Sequence, residues 1–137
     1  HGGLPDRLDV TDWTVTTSWP ERGEYAISSM LDGDISTRWS TGEVQSQGQW
    51  IRIDLGEETT FSRVQLNSIS APDDYARAYT IETSADGTEW TQVSSGEGTS
   101  DGVDAALDIS QTSRYLRIVQ TGSADYWWSV AELNVYR

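Results

Sequence analysis

The chain has 137 residues, no cysteine, and 22 acidic against nine basic residues, a formal net charge of −13. This length suits one domain with a core of its own, so residues 1–137 are interpreted as a single domain. Without cysteine there is no disulfide, zinc–thiolate site or thiol nucleophile, and the negative charge disfavours nucleic acid and anionic lipid as partners. No run of roughly 18 apolar residues is present to span a membrane.

Hydrophobic residues alternate with polar ones along most of the chain, as in Ile51, Ile53 and Leu55. This period of two indicates half-buried strands, and glycine-containing turns separate them. No helix longer than a turn at Tyr25 to Leu31 is expected. The predicted strands are a first one near Trp13 to Thr17, then Ile51 to Leu55, Val64 to Leu66, Tyr79 to Thr83, Glu89 to Val93, Val103 to Ile109, Tyr115 to Gln120 and Val130 to Tyr136.

About eight short strands at regular spacing predict an all-β fold, an antiparallel β-sandwich or jelly roll in which the loops carry the function. The aromatic composition agrees with a recognition role, because seven Trp and six Tyr stand against one Phe. Indole and phenol rings combine a flat apolar face with a polar group, which suits half-exposed binding surfaces.

The segment Ser29 to Trp39, SMLDGDISTRW, concentrates carboxylates, a glycine turn and a threonine hydroxyl. Such oxygen donors suit a hard cation such as calcium. The segment is not an EF-hand, because Thr37 stands where that loop needs glycine. A solvated Asp-Gly turn before a buried Trp explains the pattern equally well, so the residues alone leave both interpretations open.

Five blocks of sequence are spread over almost the whole chain, namely DGDISTRW, GQWIRIDLG, SADGTEW, RYLRI and WWSVAELNVY. Together they resemble a discoidin, or coagulation factor type C, domain. The longer ending TGSADYWWSVAELNVY is most similar to bacterial family 32 carbohydrate-binding modules. The resemblance implies an eight-stranded discoidin-type jelly roll.

The same resemblance implies a structural calcium ion that joins the first loop to the last strand. Seven or so oxygen ligands are expected, within the six to eight that calcium accepts. The implied ligands are the carboxylates of Asp32 and Glu132, the hydroxyl and carbonyl of Thr37, and the carbonyls of Ser29, Asp34 and Ala131.

Sugar recognition needs an exposed ring to lie against a pyranose and polar groups to bond its hydroxyls. The best candidate is Asp125 to Trp128, interpreted as a polar loop just before a strand. Trp128 is expected in the core, and Tyr126 or Trp127 is expected to face outward; the alternative is that both pack inside. Resemblance to the family places the rest of the site on neighbouring loops, at Trp19, Glu21, Arg38, Glu43, Asp73, Tyr75 and Arg77.

Catalysis is not expected from this sequence. His1 is the only histidine, so neither an acid–base pair nor a two-imidazole copper site can be completed. With 22 acids, pairs of carboxylates arise by chance, and nothing marks one pair as a glycosidase centre.

The resulting prediction is a monomeric, non-catalytic carbohydrate-binding module of a secreted bacterial protein. It would target a glycoside hydrolase domain of the same parent chain to a polysaccharide, with chitosan and β-1,3- or α-1,3-glucan ranked first and galactosides second. The alternative is a discoidin domain that mediates adhesion or holds a protein partner.

Overall fold

The computed structural model describes residues 8, 13–18, 27–31, 37–68, 73–100 and 102–137. Helical structure in this part of the chain is limited to one 3₁₀ turn at Ile27–Met30. None of the described helical structure is long and apolar enough to cross a membrane.

The described residues form eight strands, which confirms the predicted all-β class. Two of these strands are 19 residues long and irregular near the middle, so a count of straight segments comes to roughly 10. The strands are β1 (Thr14–Thr17), β2 (Trp39–Gln45), β3 (Gln49–Asn67), β4 (Tyr79–Ser84), β5 (Thr91–Gly96), β6 (Gly102–Gln120), β7 (Ala124–Val130) and β8 (Glu132–Tyr136).

Both long strands correct the sequence-based boundaries, because each joins two strands that were predicted separately. In β3 the predicted break at Leu55 and Gly56 is a bend in a continuous strand. Gly56 adopts a φ of 88° that favours glycine, and its N–H donates to Asp54 Oδ1 at 2.9 Å. The turn residues therefore mark a change of direction rather than a reversal. Likewise β6 unites the predicted strands Val103 to Ile109 and Tyr115 to Gln120.

Two further boundaries differ from the prediction. The strand expected from Glu89 begins only at Thr91, because the N–H of Glu89 donates to the Asp86 carboxylate at 3.1 Å within the preceding turn. The strand expected over Val130 to Tyr136 is divided at Ala131 into the end of β7 and the whole of β8.

All strand pairs are antiparallel. The larger sheet has the order β1-β3-β6-β4-β5, with β8 added along the second half of β3, and a smaller sheet consists of β2 and β7. The first half of β3 pairs with the second half of β6, and the second half of β3 with the first half of β6. These two strands form the frame of a sandwich-like arrangement of discoidin type.

Alternate residues of the long strands form the core. Ile51 and Ile53 of β3 are fully buried, as are Leu116 and Ile118 of β6 opposite them. Burying side chains of this kind stabilises a fold by about 1.5–3 kcal/mol each. The intervening residues of the same strands point to the other face, so the period of two seen in the sequence is realised in the structure.

The smaller sheet is held to the core by two indoles. Trp39 of β2 and Trp128 of β7 are 1% exposed and meet edge to face, with ring centres 5.4 Å apart. The prediction that Trp128 belongs to the core is therefore confirmed. Since β7 is anchored at Trp128, the residues that precede it on the strand have a fixed position at the surface.

Candidate functional site

Three large hydrophobic side chains are exposed among the described residues, and all three belong to the smaller sheet. Val44 is 54% exposed, Tyr126 49% and Trp127 37%. Val44 and Trp127 are paired across β2 and β7. The two rings, Tyr126 and Trp127, are called the aromatic platform below, and Val44 borders it. Exposed apolar groups that cluster in this way mark an interaction surface.

An irregularity in the β2–β7 pairing explains why two consecutive aromatic residues are exposed. Val44 pairs with Trp127, but the next residue, Gln45, pairs with Ala124. Asp125 and Tyr126 therefore have no opposite partner on β2, and the usual alternation of faces is broken. The segment predicted to be a polar loop is thus part of a strand, and the bulge is what presents both rings.

The side chain of Gln45 hydrogen-bonds to the backbone of the segments that carry the platform. Its side chain is 2% exposed, and Nε2 donates to the carbonyl oxygens of Tyr75 at 2.7 Å and Trp127 at 3.1 Å. Its Oε1 accepts the Arg77 N–H at 3.2 Å. One buried amide therefore joins β2, β7 and the segment before β4, and such a satisfied network holds backbone positions rigidly. Neither Gln45 nor Val44 was predicted, since neither lies in a distinctive motif.

Arg77 lies between two tyrosines at the edge of the platform. Its guanidinium carbon is 3.8 Å from the centre of the Tyr75 ring and 5.5 Å from that of Tyr126, within range for cation–π attraction. Nη1 donates to the Tyr75 carbonyl at 2.9 Å and Nη2 to the Asp73 carbonyl at 3.0 Å. Both nitrogen atoms are engaged with main-chain oxygens, so Arg77, predicted as a sugar-site residue, orients the two rings.

The segment that contributes Tyr75 and Arg77 is fastened to β7 by Asp74. The Ser129 hydroxyl donates to the Asp74 carboxylate at 2.7 Å, and the Ser129 N–H donates to the Asp74 carbonyl at 2.9 Å. Asp73, the preceding residue, is exposed, as is Asp125 of the bulge. The platform is therefore accompanied by two accessible carboxylates and one arginine.

The structure brings together five of the predicted sugar-site residues, namely Asp73, Tyr75, Arg77, Tyr126 and Trp127. Arg38 is half-buried and directly precedes β2 in the chain. Trp19 and Glu21 lie outside the described residues, and so does the side chain of Glu43.

Comparison with known proteins identifies the family. The sequence profile described as "F5/8 type C domain" matches residues 14–133, which run from β1 into β8. The chain belongs to the F5/8 type C, or discoidin-like, family. No curated protein matches this discoidin-like domain in sequence.

Solved structures similar to this discoidin-like domain are carbohydrate-binding modules. Chitosan-binding module 1 of a chitosanase/glucanase from Paenibacillus sp. IK-5 is 34% identical, with 92% of this chain and 96% of that chain covered and a TM-score of 0.74. Chitosan-binding module 2 of that enzyme, in complex with chitotriose, is 32% identical, with 92% and 97% covered and a TM-score of 0.77.

A third similar structure is the family 32 module of C. perfringens NanJ in complex with galactose. It is 22% identical to the discoidin-like domain, with 98% of this chain and 100% of that chain covered and a TM-score of 0.82. At this identity the likeness concerns the fold alone.

Part of the predicted calcium ligand set lies in the described residues, and its chemistry suits the ion. The Thr37 hydroxyl lies 3.3 Å from the Ser29 carbonyl oxygen, so two predicted oxygen donors are neighbours. Glu132 is 5% exposed on β8, and the 3₁₀ turn that contains Ser29 contacts β8. Carboxylate, carbonyl and hydroxyl oxygens are the donor types that calcium prefers.

Asp32 and Asp34, two further predicted calcium ligands, lie outside the described residues, and Ala131 is buried between β7 and β8. Among the residues that are described, no three His, Cys, Asp or Glu side chains form a cluster. Of the two carboxylates in the predicted ligand set, Glu132 is the one that lies in the described part of the chain.

Proposed function

We propose that the discoidin-like domain is a non-catalytic carbohydrate-binding module whose ligand lies on the aromatic platform. The observation that carries this proposal is the exposure of the consecutive rings of Tyr126 and Trp127 on a bulged strand. A flat ring can cover the C–H face of a pyranose, while neighbouring polar groups bond its hydroxyls. The domain supplies both the flat rings and the neighbouring polar groups at one place.

Chitosan is the ligand we propose first. Two similar structures at 32% and 34% identity are described as chitosan-binding modules. Asp73 and Asp125 expose carboxylates near the platform, and the chain carries a net charge of −13. Carboxylates attract the protonated amines of chitosan, and the overall field concentrates a cationic polymer near the surface. β-1,3- and α-1,3-glucans come second, because the rings alone could hold a neutral glucan, and galactosides follow.

The biological role proposed is targeting. The domain would belong to a secreted bacterial glycoside hydrolase and would act as a monomer outside the cell. Holding a linked catalytic domain near its polymer raises the effective substrate concentration without new chemistry. An open platform with few contacts is expected to bind one oligosaccharide weakly, with a Kd of roughly 10 μM to 1 mM.

We also propose a structural calcium ion. It would join the segment before β2 to β8, because Ser29 and Thr37 lie on the first side and Glu132 on the second. Its role would be to stabilise the fold and to offset part of the acidic charge, with no part in sugar chemistry. The proposed ligands are the oxygen atoms of Ser29, Asp32, Asp34, Thr37, Ala131 and Glu132.

Polymer depletion followed by calorimetry tests the proposed ligand. The domain is mixed with insoluble chitosan, β-1,3-glucan and α-1,3-glucan, and the polymer that removes it from solution is followed up with its trisaccharide. We expect depletion by chitosan, competition by chitotriose, and measurable heat with chitotriose. Acetylated chitotriose is the matched control, because it has the same backbone without the charged amines.

Other outcomes would change the assignment. Depletion by chitosan that disappears at about 0.5 M salt and is not competed by chitotriose would indicate charge attraction alone. If only a glucan depletes the domain, that glucan replaces chitosan as the proposed ligand. If none of the three polymers depletes the domain and galactose gives no heat of binding, the platform has no sugar ligand.

A protein partner is the second candidate, because Val44 extends the exposed apolar surface beyond the two rings. An aliphatic side chain offers no stacking face for a sugar but adds area to a protein interface. Val44→Ser separates the two functions: it would weaken a protein complex and leave chitotriose affinity within about twofold.

A further inference from the structure

The outward face of the larger sheet carries a row of four polar residues, one from each of four strands, and three of them are charged. In this row Thr16 of β1 lies opposite Arg52 of β3, Arg52 opposite Arg117 of β6, and Arg117 opposite Glu82 of β4. Two like charges directly opposite each other oppose pairing unless other groups compensate them. The face therefore has a local excess of positive charge, although the chain as a whole carries −13.

Ion pairs neutralise the neighbouring arginines but not Arg52. Arg117 Nε donates to Glu82 at 2.7 Å, and Arg114 donates to the two carboxylate oxygens of Asp54 at 2.9 and 3.1 Å. In the part of the chain that is described, Arg52 has neither a hydrogen bond nor an ion pair through its side chain. Its guanidinium therefore forms no ion pair of its own; its electrostatic influence reaches Asp54, whose carboxylate is already bonded to Arg114.

Two aromatic rings hold this guanidinium in place. Its central carbon lies 5.6 Å from the centre of the Trp90 ring and 5.3 Å from that of Tyr115. Gly87 leaves the space for it, because a Cβ at that position would come 2.5 Å from Arg52 Nη2. Cation–π contacts orient an arginine without using its N–H donors, so the donors stay available.

A small open cleft lies beside Arg52. It has a volume of about 240 Å³ and is lined by Thr14, Thr16, Arg52, Asp54 and Tyr115. Both threonines are exposed, and Asp54 and Tyr115 face each other across β3 and β6. The cleft thus offers a guanidinium, two hydroxyls, a carboxylate already paired with arginine, and one ring, in a space suited to a single monosaccharide.

We infer that this cleft is a second saccharide site and that it takes a sugar bearing a carboxylate, such as a uronic acid unit. The sugar carboxylate would pair with the Arg52 guanidinium, the hydroxyls would bond to Thr14 and Thr16, and the ring would lie against Tyr115. The site shares no residue with the aromatic platform and prefers the opposite ligand charge. Long polyuronates are opposed by the net charge, so short or sparsely charged chains are the expected ligands.

Titration followed by two-dimensional NMR tests this site, with glucuronate, glucose and acetate as the probes. We expect glucuronate to shift the indole signal of Trp90 and backbone signals of β1 and β3. Glucose, which has the ring without the carboxylate, and acetate, which has the carboxylate without the ring, are each expected to bind about tenfold more weakly or not at all.

Variants assign the binding to Arg52. Arg52→Gln is expected to weaken glucuronate binding about tenfold or more. Arg63→Gln is the matched control, because Arg63 lies on the same strand and also faces a tyrosine, Tyr136 at 5.4 Å, but is paired with Asp104. If Arg52→Gln fails to fold, Thr16→Val removes an exposed hydroxyl of the cleft and is expected to weaken binding about threefold or more.

Three results would overturn the inference: no signal change with glucuronate in the folded domain, equal loss in Arg52→Gln and Arg63→Gln, or equal affinity for acetate and glucuronate. The last would mark a simple anion contact. Trp127→Ala separates this test from that of the platform. The variant is expected to bind glucuronate with unchanged affinity, whether or not its affinity for chitotriose falls.

Discussion

Arg77 stacks on Tyr75 and at the same time bonds to its main chain. The guanidinium carbon lies 3.8 Å from the ring centre, and Nη1 donates to the Tyr75 carbonyl at 2.9 Å. Because Tyr126 of β7 lies with its ring centre 5.5 Å from the same carbon, one planar group sets the relative position of two rings. A lysine could carry the charge but could not stack and donate in two directions within one plane.

Arg77→Lys is therefore expected to weaken chitotriose binding about three- to tenfold while changing the free energy of unfolding by less than about 1 kcal/mol. Calorimetry measures the first quantity and urea unfolding the second. Arg63→Lys is the matched control, since Arg63 also lies near a tyrosine but belongs to β3, which is in a different sheet from the platform strands. A loss of stability as large as the loss of affinity would show that Arg77 supports the fold rather than the site.

Trp127 and Trp128 are adjacent in sequence but have different surroundings, since Trp127 is 37% exposed and Trp128 is 1% exposed. Trp128→Ala empties part of the core and is expected to cost about 3–5 kcal/mol of unfolding free energy. Trp127→Ala is expected to cost less than about 1 kcal/mol and to abolish measurable chitotriose binding. Each of the two variants is the control for the other, with stability measured by denaturant unfolding and affinity by calorimetry. If Trp127→Ala binds as well as the parent, the platform is not the sugar site.

The fold class could be predicted because alternation is a local property of the sequence. Ile51, Ile53 and Leu55 show which face of β3 is buried without any knowledge of its partners. The length of β3 could not be obtained in this way. A glycine that ends one strand and a glycine that bends a continuous strand have the same local sequence, and only the pairing with β6 distinguishes them.

The platform was predicted in part, since Tyr126 and Trp127 stand out as consecutive rings in a polar segment. Val44 and Gln45 were missed because their importance depends on pairing with residues more than 80 positions away, such as the Gln45 bond to Trp127. The segment around Tyr126 was interpreted as a loop because its residues do not alternate. The bulge against β2 both removes the alternation and creates the exposed surface.

Calcium removal gives a prediction about stability. If Ser29, Thr37 and Glu132 share an ion, excess EDTA lowers the melting temperature by several degrees or more, and added calcium restores it, because a ligand bound only to the folded state stabilises that state. Differential scanning calorimetry measures the shift. Glu132→Gln keeps the size of the buried side chain and removes its charge, so this variant is expected to lose the response to calcium. A melting temperature that is unchanged by EDTA in the parent domain would contradict the ion.

Stability at low pH depends on aspartates whose pKa is held down by the fold. Hydrogen bonds from Arg114 lower the pKa of Asp54, those from Arg63 lower that of Asp104, and the N–H groups of Thr88 and Glu89 lower that of Asp86. A carboxyl whose pKa is lower in the folded state binds protons more readily when unfolded. Its contribution is complete above the ordinary value of 3.8 and is lost as the pH falls from there through the folded pKa.

The unfolding free energy is therefore expected to stay nearly constant between pH 7 and about 5 and to fall steadily below pH 4. Urea unfolding at a series of pH values, in EDTA to exclude linked calcium release, measures the profile. Asp86→Asn removes one contributor and should flatten the decline, whereas Asp125→Asn, at an exposed position in the β7 bulge, should not. If both variants follow the parent curve, the hydrogen bonds of the Asp86 turn do not contribute to the acid sensitivity of the fold.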